Sequence, residues 1–323
     1  MRYLVTGATG LLGNNVVRQL LAAGERVRVL TRSGSDARPL ADLKVERVVG
    51  ELRDQAAVAE AIRGADVVVH CAGHTHIGWT QRSQHEEINV AGTRSVASAA
   101  REAGARLVHV SSINALGLGR LASPADEETA LPGIVECPYV LTKREGERIV
   151  LEEVGRGLWA TIVNPALMLG PWDWKPSSGK MMLSLPRIVP SAPVGAATFG
   201  DVRDVANAVI SAGTRGQSGR RYVLGGYTMS YREAWQLMAR SGGKLGPYLP
   251  MGPLFRGIVS PILDVYNGVL GKEGDFNSAN IAMGRQEHCF SSRRAEAELG
   301  FRARKFDETL ADAWSWFREY GYV

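Results

Sequence analysis

Ser112, Tyr139 and Lys143 are the side chains of this 323-residue chain whose types and spacing could move a proton. Ser112 closes a run, Arg106-Leu107-Val108-His109-Val110, that reads as a strand ending in two hydroxyls, Ser111 and Ser112. Pro138 suits the first turn of a helix. Tyr139 and Lys143 then lie at i and i+4, on one helix face. A phenol titrates near ~10, and a neighbouring ammonium lowers that value. A Tyr with a Lys four residues on is common by chance. The pair gains meaning from a turn far upstream, Thr6-Gly7-Ala8-Thr9-Gly10-Leu11-Leu12-Gly13.

That turn follows an apolar run, Tyr3-Leu4-Val5, and leads into an amphipathic helical pattern, Val16, Val17, Leu20 and Leu21. Strand, glycine turn and helix together form a dinucleotide site. Gly7 makes the tight turn, Gly10 admits a pyrophosphate and Gly13 brings helix and strand close. The free N–H groups of the helix start face the phosphates. Gly7, Thr9, Gly10, Leu11, Leu12 and Gly13 are thus expected against the cofactor. A second strand, Arg26 to Thr31, lacks the terminal acid that takes a ribose 2′-hydroxyl. Arg32, Ser33 and Arg38 follow instead and suit a 2′-phosphate, so NADP(H) is favoured over NAD. Asp36 stands five residues past the usual acid position. Beyond a third strand, Val45 to Val49, Glu51 and Leu52 can bracket the adenine, and Asp54 caps a helix through Ile62.

The unbroken valines Val67-Val68-Val69 read as a strand buried on both faces, as in a parallel sheet. Its exit, Cys71-Ala72-Gly73, opens a loop with His74, His76 and Trp79. Ligands bind outside the carboxyl ends of such strands, so His74 and His76 are expected near the substrate. His70, His74, His76 and His85 complete no metal-ligand spacing, and no metal is expected. Glu87 to Gly104 is a helical pattern rich in alanine, suited to close packing, including against a second subunit. A sixth strand spans 157–163. Asn164 to Phe199, with Trp172, Trp174, Met181 and Met182, should cover the substrate. A helix over 204–212, a strand over Arg221 to Leu224 and a helix over 231–240 follow. The apolar stretch Leu254 to Leu270 is expected to wall the pocket or fill a lobe core. Closing helices are expected over 291–299 and 306–320.

Composition narrows the class. The chain is 45% hydrophobic with a net charge of +5 from scattered residues, which excludes a nucleic-acid patch. Three distant cysteines, Cys71, Cys137 and Cys289, imply free thiols in a reducing compartment. A strand beginning at residue 3 leaves no room for a leader, and no 18-residue apolar run occurs. A cytoplasmic protein without membrane partners is expected.

In its motifs the chain resembles the extended short-chain dehydrogenases/reductases of the NAD-dependent epimerase/dehydratase group. The matching residues are Thr6 to Gly13, Val67 to Gly73, Asn89-Val90-Ala91-Gly92-Thr93, Val110-Ser111-Ser112 and Tyr139-Val140-Leu141-Thr142-Lys143. They continue with Asn164-Pro165-Ala166, Gly170-Pro171-Trp172-Asp173, Asp201 to Val205 and Glu298-Leu299-Gly300-Phe301. The dihydroflavonol-reductase-like branch is the nearest in flavour, through Val163-Asn164-Pro165 and Trp172 to Pro176. The resemblance implies that Tyr139 is the general acid/base, Lys143 its partner and a ribose ligand, and Ser112 the donor to the substrate oxygen. It also implies cofactor contacts from Cys71, Ala72, Gly73, Asn89, Asn164, Pro165 and Ala166, and substrate contacts from Leu167, Trp172 and Met181.

Two departures bear on the substrate. Leu167 stands where nucleotide-sugar members carry Asn, and Gly195 to Thr198 lack an arginine those members tend to have. The expected fold is α/β, a doubly wound parallel (Rossmann) sheet with a small C-terminal substrate lobe. Residues 1–165 plus 201–224 would form the core, and 166–200 plus 225–323 the lobe. The expected function is hydride transfer between NADP(H) and a ketone or secondary alcohol of a small molecule, in a homodimer. The alternatives are a sugar (nucleotide) epimerase or dehydratase without net redox, and a cofactor-sensing binding protein.

Overall fold

The computed structural model describes residues 1–129, 133–184, 191–247, 249–250, 273–274 and 277–323. The apolar stretch 254–270 lies outside the described residues. The first half alternates strand and helix: β1 (Arg2–Thr6), α1 (Leu11–Ala22), β2 (Arg26–Thr31), β3 (Glu46–Val49), α2 (Gln55–Ile62) and β4 (Val67–His70). Next come α3 (Arg82–His85), α4 (Gly92–Glu102), β5 (Arg106–Val110), α5 (Pro138–Gly155) and β6 (Ala160–Pro165). The later elements that matter for the site are β7 (Leu167–Leu169), β8 (Ser191–Ala192), β9 (Ala196–Asp201), α6 (Val202–Arg215), β10 (Arg221–Leu224) and β11 (Tyr227–Ser230).

Seven strands form one parallel sheet in the order β10-β6-β5-β4-β1-β2-β3. From β1 the chain winds outward through β2 and β3. It then returns beside β1 with β4 and winds the other way through β5, β6 and β10. The reversal between β1 and β4 opens a crevice at their carboxyl ends. Side chains alternate across the sheet as the strand pleat requires. Tyr3, Val5, Val67, Val69 and Val108 pack with α1 and α6 on one face. Leu4, Val68 and Leu107 pack with α2, α4 and α5 on the other.

The alanine-rich helix differs from its expected 87–104 span. It begins at Arg82 and passes through a π-helical turn, Glu86–Ala91, before α4. Asn89 lies in that turn, buried, with its amide tied to the His74 backbone and to Thr142. Ala97 and Ala100 pack inside the chain with Ala61 and Leu107, and α4 lies against α2 and α5. Ala97 and Ala100 are thus used for close packing within the chain.

Helix caps follow local chemistry. Asp54 accepts from the N–H groups of Ala56 and Ala57, and Asp201 from that of Arg203. Ser230 accepts from Glu233 N at the head of the helix Tyr231–Ser241. The lobe adds a small sheet in which β9 pairs with β7, β11 and a two-residue strand, Glu287–His288. Neither β9 and β11 nor the shorter β7, β8 and 287–288 strands were expected: two or three residues carry no readable period, and most of β9 lies in the stretch read as covering the substrate. The lobe core gathers Phe199, Met238, Leu310, Trp314, Trp316 and Phe317, so the closing helix, Phe306–Glu319, packs as expected. On this strand assignment we propose the same division into core and lobe. No helix among the described residues is long and apolar enough to cross a membrane.

Several histidines are enclosed and neutral. Burial depresses His70 to about 3 and His288 to about 4, and holds His109 well below its ordinary value. Neither ring nitrogen of His109 or His288 has a hydrogen-bond partner. An unfolded histidine takes its proton near ~6.5. The stability these groups confer is thus full above that pH and lost as pH falls towards the folded values. Each one steepens the loss by about 1.4 kcal/mol per pH unit. In urea titrations between roughly pH 6 and 4.5, His109→Leu should flatten the slope by about that amount; an unchanged slope contradicts a neutral His109.

Candidate active site

The site is built at the reversal between β1 and β4. Gly7 has φ +68°, and a Cβ there would lie 2.6 Å from Ala72 N and 2.8 Å from the Cys71 carbonyl carbon. A Cβ on Gly13 would run into the Gly7 carbonyl. The turn is thus pinned between the β4 exit and α1. Gly10 begins α1 with no side-chain cap, no acid lies in the first turn, and a Cβ there would meet only the Gly7 carbonyl oxygen, at 3.4 Å. The unbonded N–H groups at this helix start suit a phosphate. Thr9 and Leu11 are half-buried beside it, and Leu12 packs in the core.

Ser112, Tyr139 and Lys143 converge beside this crevice. Ser112 follows the end of β5; it stands near enough to the Tyr139 phenol to act on its titration, and its hydroxyl accepts from Asn114 N at 3.2 Å. Lys143, one helical turn on from Tyr139, is 6% exposed and donates to the Val110 carbonyl at 3.0 Å. A Cβ on Gly73 would lie 3.2 Å from Lys143 Nζ, so the ammonium faces the β4 exit.

The electrostatics correct one expectation. Tyr139 lies above its ordinary value, because burial outweighs the lowering by Ser112; Cys137 adds to the rise. Lys143 does not pull the phenol down. Burial depresses Lys143 itself to about 8, with Glu147 and then Cys71 acting in the opposite direction. A protonated phenol beside a hydroxyl is the form that can donate a proton.

The expected cofactor residues divide. Cys71, Ala72 and Gly73 are half-buried at the β4 exit. Arg32 and Ser33 are exposed on a cavity of about 240 Å³ past β2, which Thr9, Ser35, Asp36 and Arg47 also line. Arg47, on β3, was not foreseen; it donates to the Leu40 carbonyl at 2.7 Å. Arg38 pairs with Asp36 at 2.7 Å and lies 5.7 Å from the Trp174 ring centroid. Glu51 pairs with Arg53, and Leu52 packs against Gly92. Asn89 spends its amide on His74 and Thr142. Asn164, Pro165 and Ala166 are buried strand-end residues. Asn164 stands behind Ser112, its Nδ2 donating to the Ser112 carbonyl at 2.9 Å.

The substrate residues also divide. His74 is half-buried, with Nε2 on Gln81 Oε1 at 2.8 Å and its ring 4.4 Å from that of His85. The His85 ring lies 6.1 Å from that of Tyr139. His76 is taken up by Glu273 at 3.2 Å. Glu273 also accepts from Trp79 N, Thr80 N and the Thr80 hydroxyl, and so ties the loop to the lobe. Leu167, Trp172 and Met181 pack against the lobe core. Trp172 carries the Arg18 guanidinium 3.3 Å above its ring. All three are partly buried there. Among the described residues no His, Cys, Asp or Glu group is arranged to hold a metal.

Comparisons with known proteins agree with this fold. The model of the NAD dependent epimerase/dehydratase family matches residues 3–225. "Sterol demethylase protein B" of Methylococcus capsulatus is 35% identical over 100% of both chains. A Synechocystis protein provisionally named a dihydroflavonol 4-reductase is 32% identical over 99% of this chain and 96% of its own. The crystal structure of gox2253 superposes with a TM-score of 0.85 at 32% identity, covering 99% of each chain.

The pinned turn leads to a prediction. Gly7→Ala would strain a left-handed residue and push on Ala72, at a cost of about 2 kcal/mol or more. Thermal unfolding should shift downward by several degrees, and NADPH binding by fluorescence should be lost. A variant with wild-type Tm and affinity would contradict the close approach.

Proposed function

The chain belongs to the NAD dependent epimerase/dehydratase family, and on that premise we propose that it exchanges a hydride between NADP(H) and a ketone or secondary alcohol. The carrying observation is the convergence of Ser112 on a buried Tyr139 whose phenol burial holds above its ordinary value, with the buried Lys143 one turn on. The bound cofactor supplies the hydride chemistry. Ser112 then donates to the carbonyl oxygen, and Tyr139 passes its proton to that oxygen as negative charge develops. Lys143 supplies the positive charge that stabilises the phenolate left behind. A positioned acid of this kind contributes about 10²–10⁴ in rate.

NADP(H) is favoured by Arg32, which forms no ion pair among the described residues, and by Arg47 across the same cavity. Leu167, packed on the lobe core, offers no polar hold for a sugar nucleotide, which favours reductase over epimerase. A cofactor sensor needs no proton donor. Full-length likeness to proteins named for sterol demethylation and dihydroflavonol reduction supports a polycyclic, largely apolar substrate. His74 is the loop residue best placed to touch it. The proposed assembly is a homodimer in the cytoplasm.

Tyr139→Phe should lower turnover of a cyclic ketone with NADPH by about 10²–10⁴ and leave the NADPH Kd within about twofold of wild type. Wild-type turnover would refute the assignment. Arg32→Ala combined with Arg47→Ala should bring NADPH affinity down to that for NADH. Equal or tighter binding of NADH by the wild type would overturn the NADP(H) preference.

A further inference from the structure

A buried polar chain behind the site remains unused by this mechanism. Arg221 on β10 donates through Nε to Glu147 Oε2 at 2.6 Å. Glu147 Oε1 accepts from Asn164 Nδ2 at 2.6 Å. The same Nδ2 donates its second hydrogen to the Ser112 carbonyl at 2.9 Å. Glu147 is 3% and Asn164 0% exposed. We propose that Glu147 is a positioning residue for this site: it locks the Asn164 amide that holds the Ser112 strand end, and sets a fixed negative charge one helical turn from Lys143.

The amide orientation carries the first half. Two acceptors face Asn164 Nδ2, so a flipped amide would oppose oxygen to oxygen on both sides. Asn164 Oδ1 is left buried without a partner, a cost that the two bonds on Nδ2 must outweigh. Once Glu147 loses its charge, one reason for that orientation goes and the Ser112 carbonyl is held less firmly.

Charge carries the second half. The titratable groups around Lys143 are Glu147 on α5, Cys71 after β4, His70 on β4, His109 on β5 and His85 on α3. Burial holds His70, His85 and His109 neutral, and lifts the Cys71 thiol to about 12. The Glu147 carboxylate, ion-paired with Arg221, is the charged neighbour that opposes the effect of burial on Lys143.

This inference rests on the hydride-transfer reading, and its test separates the two. Glu147→Gln is assayed across pH with NADPH and the best ketone of a cyclic panel, beside Tyr139→Phe. The expected result is an alkaline limb of kcat/KM moved down by about one pH unit. With it, kcat should fall about tenfold, with KM for NADPH little changed. Glu147→Asp should recover part of the limb shift. A limb at the wild-type pH with kcat within about twofold overturns the inference and, if Tyr139→Phe is inactive, leaves the reaction intact. Wild-type activity in Tyr139→Phe overturns the reaction itself. Should Glu147→Gln fail to fold, Glu147→Gln with Arg221→Met removes both charges together and should show the same shift. If that variant also fails to fold, Glu147 is a structural staple and the inference is wrong.

Discussion

The close approach of the first turn to the exit of β4 constrains the rest of the structure. Gly7 has no room for a side chain because Ala72 and Cys71 lie against it. Parallel pairing of β1 with β4 brings those two ends together. That pairing also aims α1's unbonded start and the Gly73 loop at the same crevice. β5 lies on the far side of β4, so Ser112 arrives within reach of the crevice, and α5 crosses above it with Tyr139 and Lys143. The sheet order places three elements distant in sequence at one point, and the tight turn leaves that point open.

Burial, more than charge pairing, sets the electrostatics there. Spacing alone suggested a phenol lowered by its lysine. Instead the enclosed pocket raises Tyr139 and depresses Lys143, because low dielectric disfavours the charged form of each. The neutral histidines on β4 and β5 belong to the same effect. The site is held in a proton-donating form, with the buried Glu147 paired to the half-buried Arg221 behind it.

Legibility in the sequence followed the strength of the local signal. Strands β2 and β10 occur at the bounds their runs indicated: each opens on an arginine, and β-branched and other apolar residues dominate both. The Tyr139 helix starts at Pro138, as its first-turn preference indicated. The π turn was hidden because Asn89's partners, His74 and Thr142, lie 15 and 53 residues away. Arg47 reads as one more charge on an edge strand until the fold sets it across from Arg32. Glu147 did continue the i, i+4 face of Tyr139 and Lys143, but its partners on β6 and β10 are tertiary. Arg18, 154 residues earlier on α1, lies over the Trp172 ring, a contact that the local sequence does not signal.

The central claim is net hydride transfer at the crevice with Tyr139 as proton donor. It is tested most directly by incubating the protein with a cyclic ketone and NADPH deuterated at the nicotinamide C4, and following both the absorbance of the reduced cofactor and the label. Stoichiometric loss of absorbance with deuterium on the carbinol carbon of the product is the predicted result. No net absorbance change, with cofactor that copurifies and an epimerised sugar nucleotide as product, would contradict it.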